Sequence, residues 1–473
     1  MPGLRSGLAA MAAAGPSRTK NAFRSKIPFT DEVWQNPFMT LEKLYQDHIA
    51  LRQEKLAEAL QPAALDGLVL SSGQPFTYFA DDREAPFYTS GQFGHWCPLK
   101  GSHHLLELRP GQKPKLIRYA PEDYWYEPIA LGTPFWLSEL ELVEVAAADA
   151  VWEALGRPAN TAYVGSETAR AERAGLTVQP EQLVACLDWD RAYKTDYELR
   201  CLDEASELGA KGHQAAKAAF ESGASELEIH YAFVEAVGVP EEDLPYTTIV
   251  ALNEKSAFLH YHAKRGARDG NVLLIDAGAA RYGYASDITR THVRAGCDPR
   301  FAAIRDGMDT LQKELCNAVK PGLPYGDLHQ EAHLKIAALL KASEILDVEP
   351  EEAVARGLSR PFFPHGLGHH LGLQVHDVGG HLADATGRVA PPPEEHPHLR
   401  NTRTIEARHV FTIEPGLYFI EMLLRPFREG EASSHFNWSL IDELAPFGGV
   451  RVEDNVVVTE DGHRNLTRAF LAS

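Results

Sequence analysis

Residues 365 to 377 read HGLGHHLGLQVHD, four histidines and an aspartate in thirteen positions. Histidine binds metals as a neutral imidazole and carries protons near neutral pH. His365 and His369 are four apart, as in the HExxH helix of zinc peptidases. Position 366 is glycine, however, so the glutamate base of that motif is missing. Gly366 and Gly368 would each cost a helix about 1 kcal/mol relative to alanine. The segment is therefore expected to be extended, with backbone and imidazoles close to a shared centre. His370 reads as a hydrogen-bonded core residue.

Four carboxylates are candidates to join it. In NVLLIDAGAARYGYASDITRTHV (271–293), a hairpin centred near Arg281–Tyr282 sets Asp276 opposite Asp287. Such partners share a face at ~5 Å between Cβ atoms and repel unless a cation or proton lies between them. The alternative is that Asp276 caps a turn and Asp287 is a surface residue. In VFTIEPGLYF (410–419), Glu414 ends an apolar strand, where an unpaired charge is costly. In GGVRVEDNVVV (448–458), one strand would present Arg451, Glu453 and Asn455 on the same face. Four acids and one histidine balance two divalent ions and still allow one bound hydroxide as nucleophile. Oxygen-rich ligands with a single imidazole favour manganese, with cobalt or zinc as substitutes.

The elements that must hold these residues are those of a mixed α/β protein. The chain has 473 residues, enough for two or three domains at ~100–200 residues each. Its net charge of −20 argues against a nucleic-acid surface, and no apolar run approaches the ~18 residues of a membrane span. Five cysteines without CxxC spacing read as free thiols in a reducing compartment, hence a cytoplasmic protein. Residues 1–38 form an extension, expected to be disordered, with a short apolar patch at Leu8–Ala14 that is marginal as a signal-peptide core. A helix begins near Met39, and LDGLVLSSG reads as a buried strand. Residues 187–223 read as one long amphipathic helix, which puts a domain boundary near 190. The expected division is 39–190 and 191–473. APPPEEHPH (390–398) is a proline-rich loop.

These motifs resemble those of the creatinase/prolidase, or pita-bread, metallopeptidases. LLIDAGAARYGYASDITRTH, HGLGHHLGLQVHDVGG, TIEPGLYF and VRVEDNVVV match the metal motifs. YTTIVALNEKSAFLHYHA, LRPFREGEASSHFNWSLIDELAPFGG and DDREAPFYTSGQFGHW are similar to the bacterial prolidase branch and to the related organophosphorus acid anhydrolases. The resemblance covers about residues 39–473. It implies a creatinase-like α/β domain followed by a pita-bread catalytic domain. It also implies two divalent ions held by Asp276, Asp287, His369, Glu414 and Glu453, with Asp287 and Glu453 bridging. His365 and His376 would contact substrate and stabilise the tetrahedral intermediate, and His260 would lie near the scissile carbonyl. Arg451 would support the metal site, and Arg400 would meet a dipeptide's free carboxylate, with Arg403 as its rival. Tyr246 and Tyr325 would line the pocket.

The implied reaction is hydrolysis of Xaa-Pro dipeptides, with side hydrolysis of organophosphotriesters. The alternatives are an aminopeptidase P acting on longer peptides and a metal-free binding protein of the same fold. The presence of all five ligand positions argues against the last. The resemblance further implies a homodimer, in which Asp82 and Trp125 lie in stretches that reach the partner.

Overall fold

The computed structural model describes residues 39–125, 127 and 130–471, so the extension expected over 1–38 lies outside the described residues. The N-terminal domain is built on β1 (Gly67–Ser71), β2 (Leu105–Leu108), β3 (Lys115–Tyr119), β4 (Glu141–Val145), β5 (Thr161–Val164) and β6 (Thr177–Val178). They form one mixed sheet in the order β4-β3-β2-β1-β5-β6. β1 is buried at every residue because helices cover both faces. Leu68 and Leu70 pack with Leu44 and Leu56 of the helix Leu41–Leu60, while Val69 packs with Val151 and Trp152 on the other side.

The single helix expected over 187–223 is in fact two, Glu181–Arg191 and Asp196–Glu221. A capping box interrupts the periodic run. The Thr195 N–H donates to the Glu198 carboxylate at 2.8 Å, and the Glu198 N–H donates back to the Thr195 hydroxyl at 3.4 Å. The TDYE sequence carries that signature and overrides the periodicity.

His48 locks the first helix onto this junction. Its Nε2 lies 2.7 Å from the His95 carbonyl oxygen and its Nδ1 2.8 Å from the Thr195 hydroxyl, an arrangement that suits the neutral ring. Burial pushes the imidazole down to about 4, against the pull of Glu198. An unfolded histidine titrates near 6.5, so the unfolded chain takes up the proton first as the pH falls. The contribution of neutral His48 is complete above about pH 6.5 and is lost progressively toward pH 4, reaching about 2 kcal/mol at pH 5. His48→Gln should therefore shrink the loss of urea stability between pH 7 and pH 5 by about that amount. An unchanged pH slope would contradict the assignment.

The C-terminal domain sets two small sheets around one cavity. β7 (Ile249–Leu252), β8 (Val272–Asp276) and β11 (Thr289–Val293) form the first, in the order β11-β8-β7. Between β8 and β11 lies the extension β9 (Ala280–Arg281) and β10 (Tyr284–Ala285). β12 (Val410–Ile413), β15 (Asp454–Val458) and β16 (His463–Asn465) form the second, and β13 (Gly416–Tyr418) pairs with β14 (Gly449–Arg451). Helices cover the outer faces. Phe220 and Phe233 pack on Leu273 and Ile275, and Ile304 and Met308 belong to the cluster of Phe411, Ile413 and Val456. Among the described residues, no helix is long and apolar enough to cross a membrane.

The register of the β8–β11 hairpin differs from expectation by two residues. Tyr282 and Gly283, with φ of 51° and 88°, form its tip between the paired Arg281 and Tyr284. Positive φ at both tip residues is the mark of a two-residue hairpin turn that follows the strand twist. Asp276 therefore pairs with Thr289 rather than with Asp287. A slip of two keeps the face, so Asp287 stays beside Asp276 as a diagonal neighbour. A Cβ on Gly278 would overlap the Ser286 carbonyl oxygen, so only glycine lets the strands close here.

Candidate metal centre

The inner faces enclose a cavity of about 650 Å³ lined by Asp276, Asp287, His369, Glu414, Glu453 and Arg451. His260, His365, His376 and Arg400 line it as well. Each ligand candidate is held by its own element. Asp276 ends β8, and Glu414 follows β12, its N–H donating to the Leu367 carbonyl at 2.9 Å. Asp287 is fixed from behind by the Asn455 side-chain oxygen, which accepts its N–H at 3.2 Å. Glu453 lies in the break between β14 and β15 and pairs with Thr289, whose hydroxyl donates to its carboxylate at 2.6 Å. The single strand expected over 448–458 is thus two strands in different sheets.

The HGLGHH segment is extended, as its glycines require. The His369 N–H donates to the Thr412 hydroxyl at 3.1 Å, and the Thr412 N–H donates to the His369 carbonyl at 3.0 Å. A Cβ on Gly368 would collide with the Thr412 carbonyl oxygen and the Tyr325 hydroxyl. This pairing brings His369 Nε2 to 3.5 Å from Asp287 and 3.4 Å from Glu414. Ligand atoms of Asp287, His369 and Glu453 all lie within 4.8 Å of one another.

The electrostatics reveal a shortage of positive charge. Burial, reinforced by Asp287, pushes Asp276 up to about 6 even though Arg451 donates to it at 2.7 Å. Burial pushes Glu414 up to about 7, and burial with the neighbouring carboxylates drives Glu453 well above the usual range. Burial would raise Asp287 too, but hydrogen bonds from His369 and Tyr246 hold it below its ordinary value. Four buried carboxylates facing one arginine and one imidazole are a poor arrangement for protein alone. They fit two divalent cations, which oxygen-rich donors of this kind prefer.

The remaining expected residues divide. Burial lowers His365 to about 3 and His376 to about 4 and also lowers His260, so all three are neutral at the cavity. His365 Nε2 lies 2.9 Å from the Tyr418 hydroxyl, and that hydroxyl accepts from Arg451 at 2.9 Å. Arg400 lines the cavity; Arg403 does not, because its guanidinium lies 3.5 Å over the Trp189 ring and donates to Tyr193. Tyr246 and Tyr325 also do not line it. The Tyr325 hydroxyl donates to the Thr412 carbonyl at 2.9 Å, behind the metal face. His370 is buried, but neither ring nitrogen has a hydrogen-bond partner; its ring packs edge-on against His409. Thr289, Thr412 and Tyr418 escaped the sequence reading. Only Thr289 left a trace, two residues beyond Asp287 on the same strand face.

The Tyr246 hydroxyl donates toward the Asp276 carboxylate at 2.8 Å and the Asp287 carboxylate at 2.6 Å and does not line the cavity. Tyr246→Phe should weaken metal binding about 10-fold while leaving the dipeptide KM unchanged, as oriented ligands lose affinity when their supporting partners go. A raised KM with unaltered metal affinity would return Tyr246 to the substrate pocket.

Comparison with known proteins agrees with this geometry. The pattern of metallopeptidase family M24 matches residues 200–460, and that of the Xaa-Pro dipeptidase N-terminal domain matches residues 43–189. The chain belongs to metallopeptidase family M24, in which the site holds divalent metal ions. It is 43% identical over 435 residues to the Xaa-Pro dipeptidase of Pseudoalteromonas atlantica, covering 90% of this chain and 98% of that one. The Citrobacter koseri Xaa-Pro dipeptidase is 43% identical over 437 residues, covering 91% and 98%. Among solved structures, proline aminopeptidase P II from Yersinia pestis is similar with a TM-score of 0.68 at 24% identity, covering 92% and 97% of the two chains. Escherichia coli aminopeptidase P with the inhibitor Pro-Leu gives 0.66 at 23% identity, covering 89% and 95%. These structural likenesses establish the pita-bread fold.

Proposed function

We propose that the protein is a dimetal Xaa-Pro dipeptidase whose ions, manganese by preference, are held by Asp276, Asp287, His369, Glu414 and Glu453. The observation that carries the reading is the convergence of these five side chains in one cavity with the exposed Arg400. The 43% identity to proteins named Xaa-Pro dipeptidase supports it. When bound, such ions lower the pKa of water and polarise a carbonyl. The chain supplies the rest. Asp287 and Glu453 would hold both ions, and Arg451 orients Asp276, donating to its carboxylate at 2.7 Å. His260 and His376, both neutral, offer N–H donors to the carbonyl oxygen as charge develops on it, while His365, whose Nδ1–H is given to the Gly366 carbonyl at 2.9 Å and whose Nε2 accepts from Tyr418, lines the cavity. Arg400 pairs with the free carboxylate of the C-terminal proline. The scissile bond has no N–H, so the site needs no acceptor for one.

Arg400 also separates the two peptidase readings. A tripeptide carries an amide where the dipeptide carries a carboxylate, and a site built for the charged group rejects the analogue that lacks it. Xaa-Pro dipeptides should be cleaved at least ~100-fold better in kcat/KM than the matching Xaa-Pro-Xaa tripeptides, and Arg400→Ala should erase the difference. Equal cleavage of both peptides by the wild type would favour an aminopeptidase P.

A domain boundary near 190 is part of this reading, supported by the helix break at 192–195 and by the separate family matches on either side. So is a homodimer, supported by Phe79, Tyr124 and Trp125 standing 100%, 87% and 75% exposed on the N-terminal domain. The cytoplasmic assignment is supported by the five free cysteines.

A further inference from the structure

A second group of metal-ligating side chains lies outside the carboxylate centre. His329 and His333 occupy one face of the helix Tyr325–Ala342, four residues apart, and His396 faces them from the proline-rich loop. Their ring centroids are 4.4 to 4.8 Å apart, and one nitrogen from each ring lies within 4.8 Å of the others. Both helix histidines are 1% exposed.

The bonding of these rings is incomplete. Neither His329 nitrogen has a hydrogen-bond partner, nor has His333 Nε2. Buried polar atoms are rarely left so, because each one costs free energy. The buried trio His48, His95 and Glu198 differs in part: both His48 nitrogens are spent on hydrogen bonds and His95 Nε2, though without one, lies 3.4 Å from the Glu198 carboxylate. His333 Nδ1 lies 3.0 Å from the Ser359 hydroxyl, which leaves Nε2 free to face the cluster. A metal-bound imidazole is commonly held this way through its other nitrogen. Burial, with mutual repulsion behind it, lowers His329 to about 2 and His333 to about 3, so both keep the lone pair that a metal takes. His396 lies among opposing charges, Arg360 and Glu395.

We propose that His329, His333 and His396 bind one divalent transition-metal ion of the zinc class, distinct from the carboxylate centre, and that it fastens the loop 390–400 to this helix. Three imidazoles with no thiolate suit zinc, copper or nickel better than manganese. Zinc–nitrogen bonds of about 2.0–2.1 Å put tetrahedral ligands roughly 3.4 Å apart. The three nitrogens, now within 4.8 Å of one another, would have to close by up to roughly 1.4 Å to reach that distance, and His396 approaches from a loop. A cleft of about 40 Å³ beside His396, lined also by Arg360, Phe363 and Glu395, has room for a water or a carboxylate oxygen as fourth ligand. The loop carries Arg400, so the ion would steady the proline-carboxylate contact. That consequence rests on the function proposed above; the ion itself does not.

The test is zinc stoichiometry on the chelator-stripped full-length chain reloaded with Zn²⁺. Wild type should hold one more zinc per chain than either His396→Ala or His329→Asn. His396→Ala alters only a half-exposed loop residue, so it keeps the test valid if the buried variant fails to fold. Zinc should also slow proteolytic cleavage within 390–400 about 10-fold in wild type and not in His396→Ala. Equal zinc content in wild type and His396→Ala, or protection that survives the substitution, would overturn the proposal whatever the peptidase assays report.

Discussion

Asp287→Asn is expected to bind at least one divalent ion fewer per chain and to hydrolyse Xaa-Pro dipeptides about 10³-fold more slowly. Asp287 is the meeting point of the centre. One carboxylate oxygen lies 2.6 Å from the Tyr246 hydroxyl, the other lies 3.5 Å from His369, and the residue is 5% exposed. Asparagine keeps the shape and the backbone bond to Asn455 while removing one of four negative charges. Two cations would then be under-compensated at a buried carboxylate position. Glu453→Gln should behave alike, since the residue is 2% exposed and its carboxylate accepts from the Thr289 hydroxyl at 2.6 Å. Metal analysis beside steady-state kinetics decides the matter. Full metal content with normal turnover in both variants would show that neither residue bridges.

The histidines of the opening motif should separate into three behaviours. His369→Ala should lower metal affinity, because its Nε2 is the imidazole nearest both Asp287 and Glu414. His376→Ala should keep both ions and lose about 10²-fold in kcat, the scale expected for one donor to a developing oxyanion. Its ring centroid is 4.4 Å from that of His369, and burial keeps it neutral. His370→Ala should leave metal content and kcat unchanged and instead lower the melting temperature, since a buried ring packed on His409 and Phe411 leaves a cavity behind. Metal loss on replacing His370 and not His369 would shift the ligand assignment by one residue.

Much of the site was legible in the chain because its chemistry is written in residue types that are costly to bury. Glu414 after Val410–Ile413, and Glu453 among valines, need cations wherever the fold carries them. Glycines 366 and 368 ruled out the zinc-peptidase helix before any contact was known. The two-residue period of strands protected the pairing of Asp276 with Asp287: the register was wrong by two, and both side chains still share a face. The helix break at Thr195 was equally available as a TDYE capping box, but the apolar periodicity running through it was the stronger pattern.

What the chain alone determined, then, was the set of acids that are costly to bury, the non-helical HGLGHH segment and the mixed α/β class, consequences of local propensity and of the cost of burying charge; the choice of His369 among the histidines came from the family resemblance. Tertiary structure decided the rest. Arg400 and Arg403 are three residues apart in one loop, and only the packing of the distant Trp189 and Tyr193 takes Arg403 out of the cavity. Tyr246 faces two carboxylates because the β8–β11 hairpin brings Asp276 and Asp287 together at its hydroxyl. His329 and His333 looked like ordinary helix residues until the loop 390–400 returned His396 to them. Contacts between segments tens to hundreds of residues apart leave no periodicity in the sequence, so only the folded chain can reveal them.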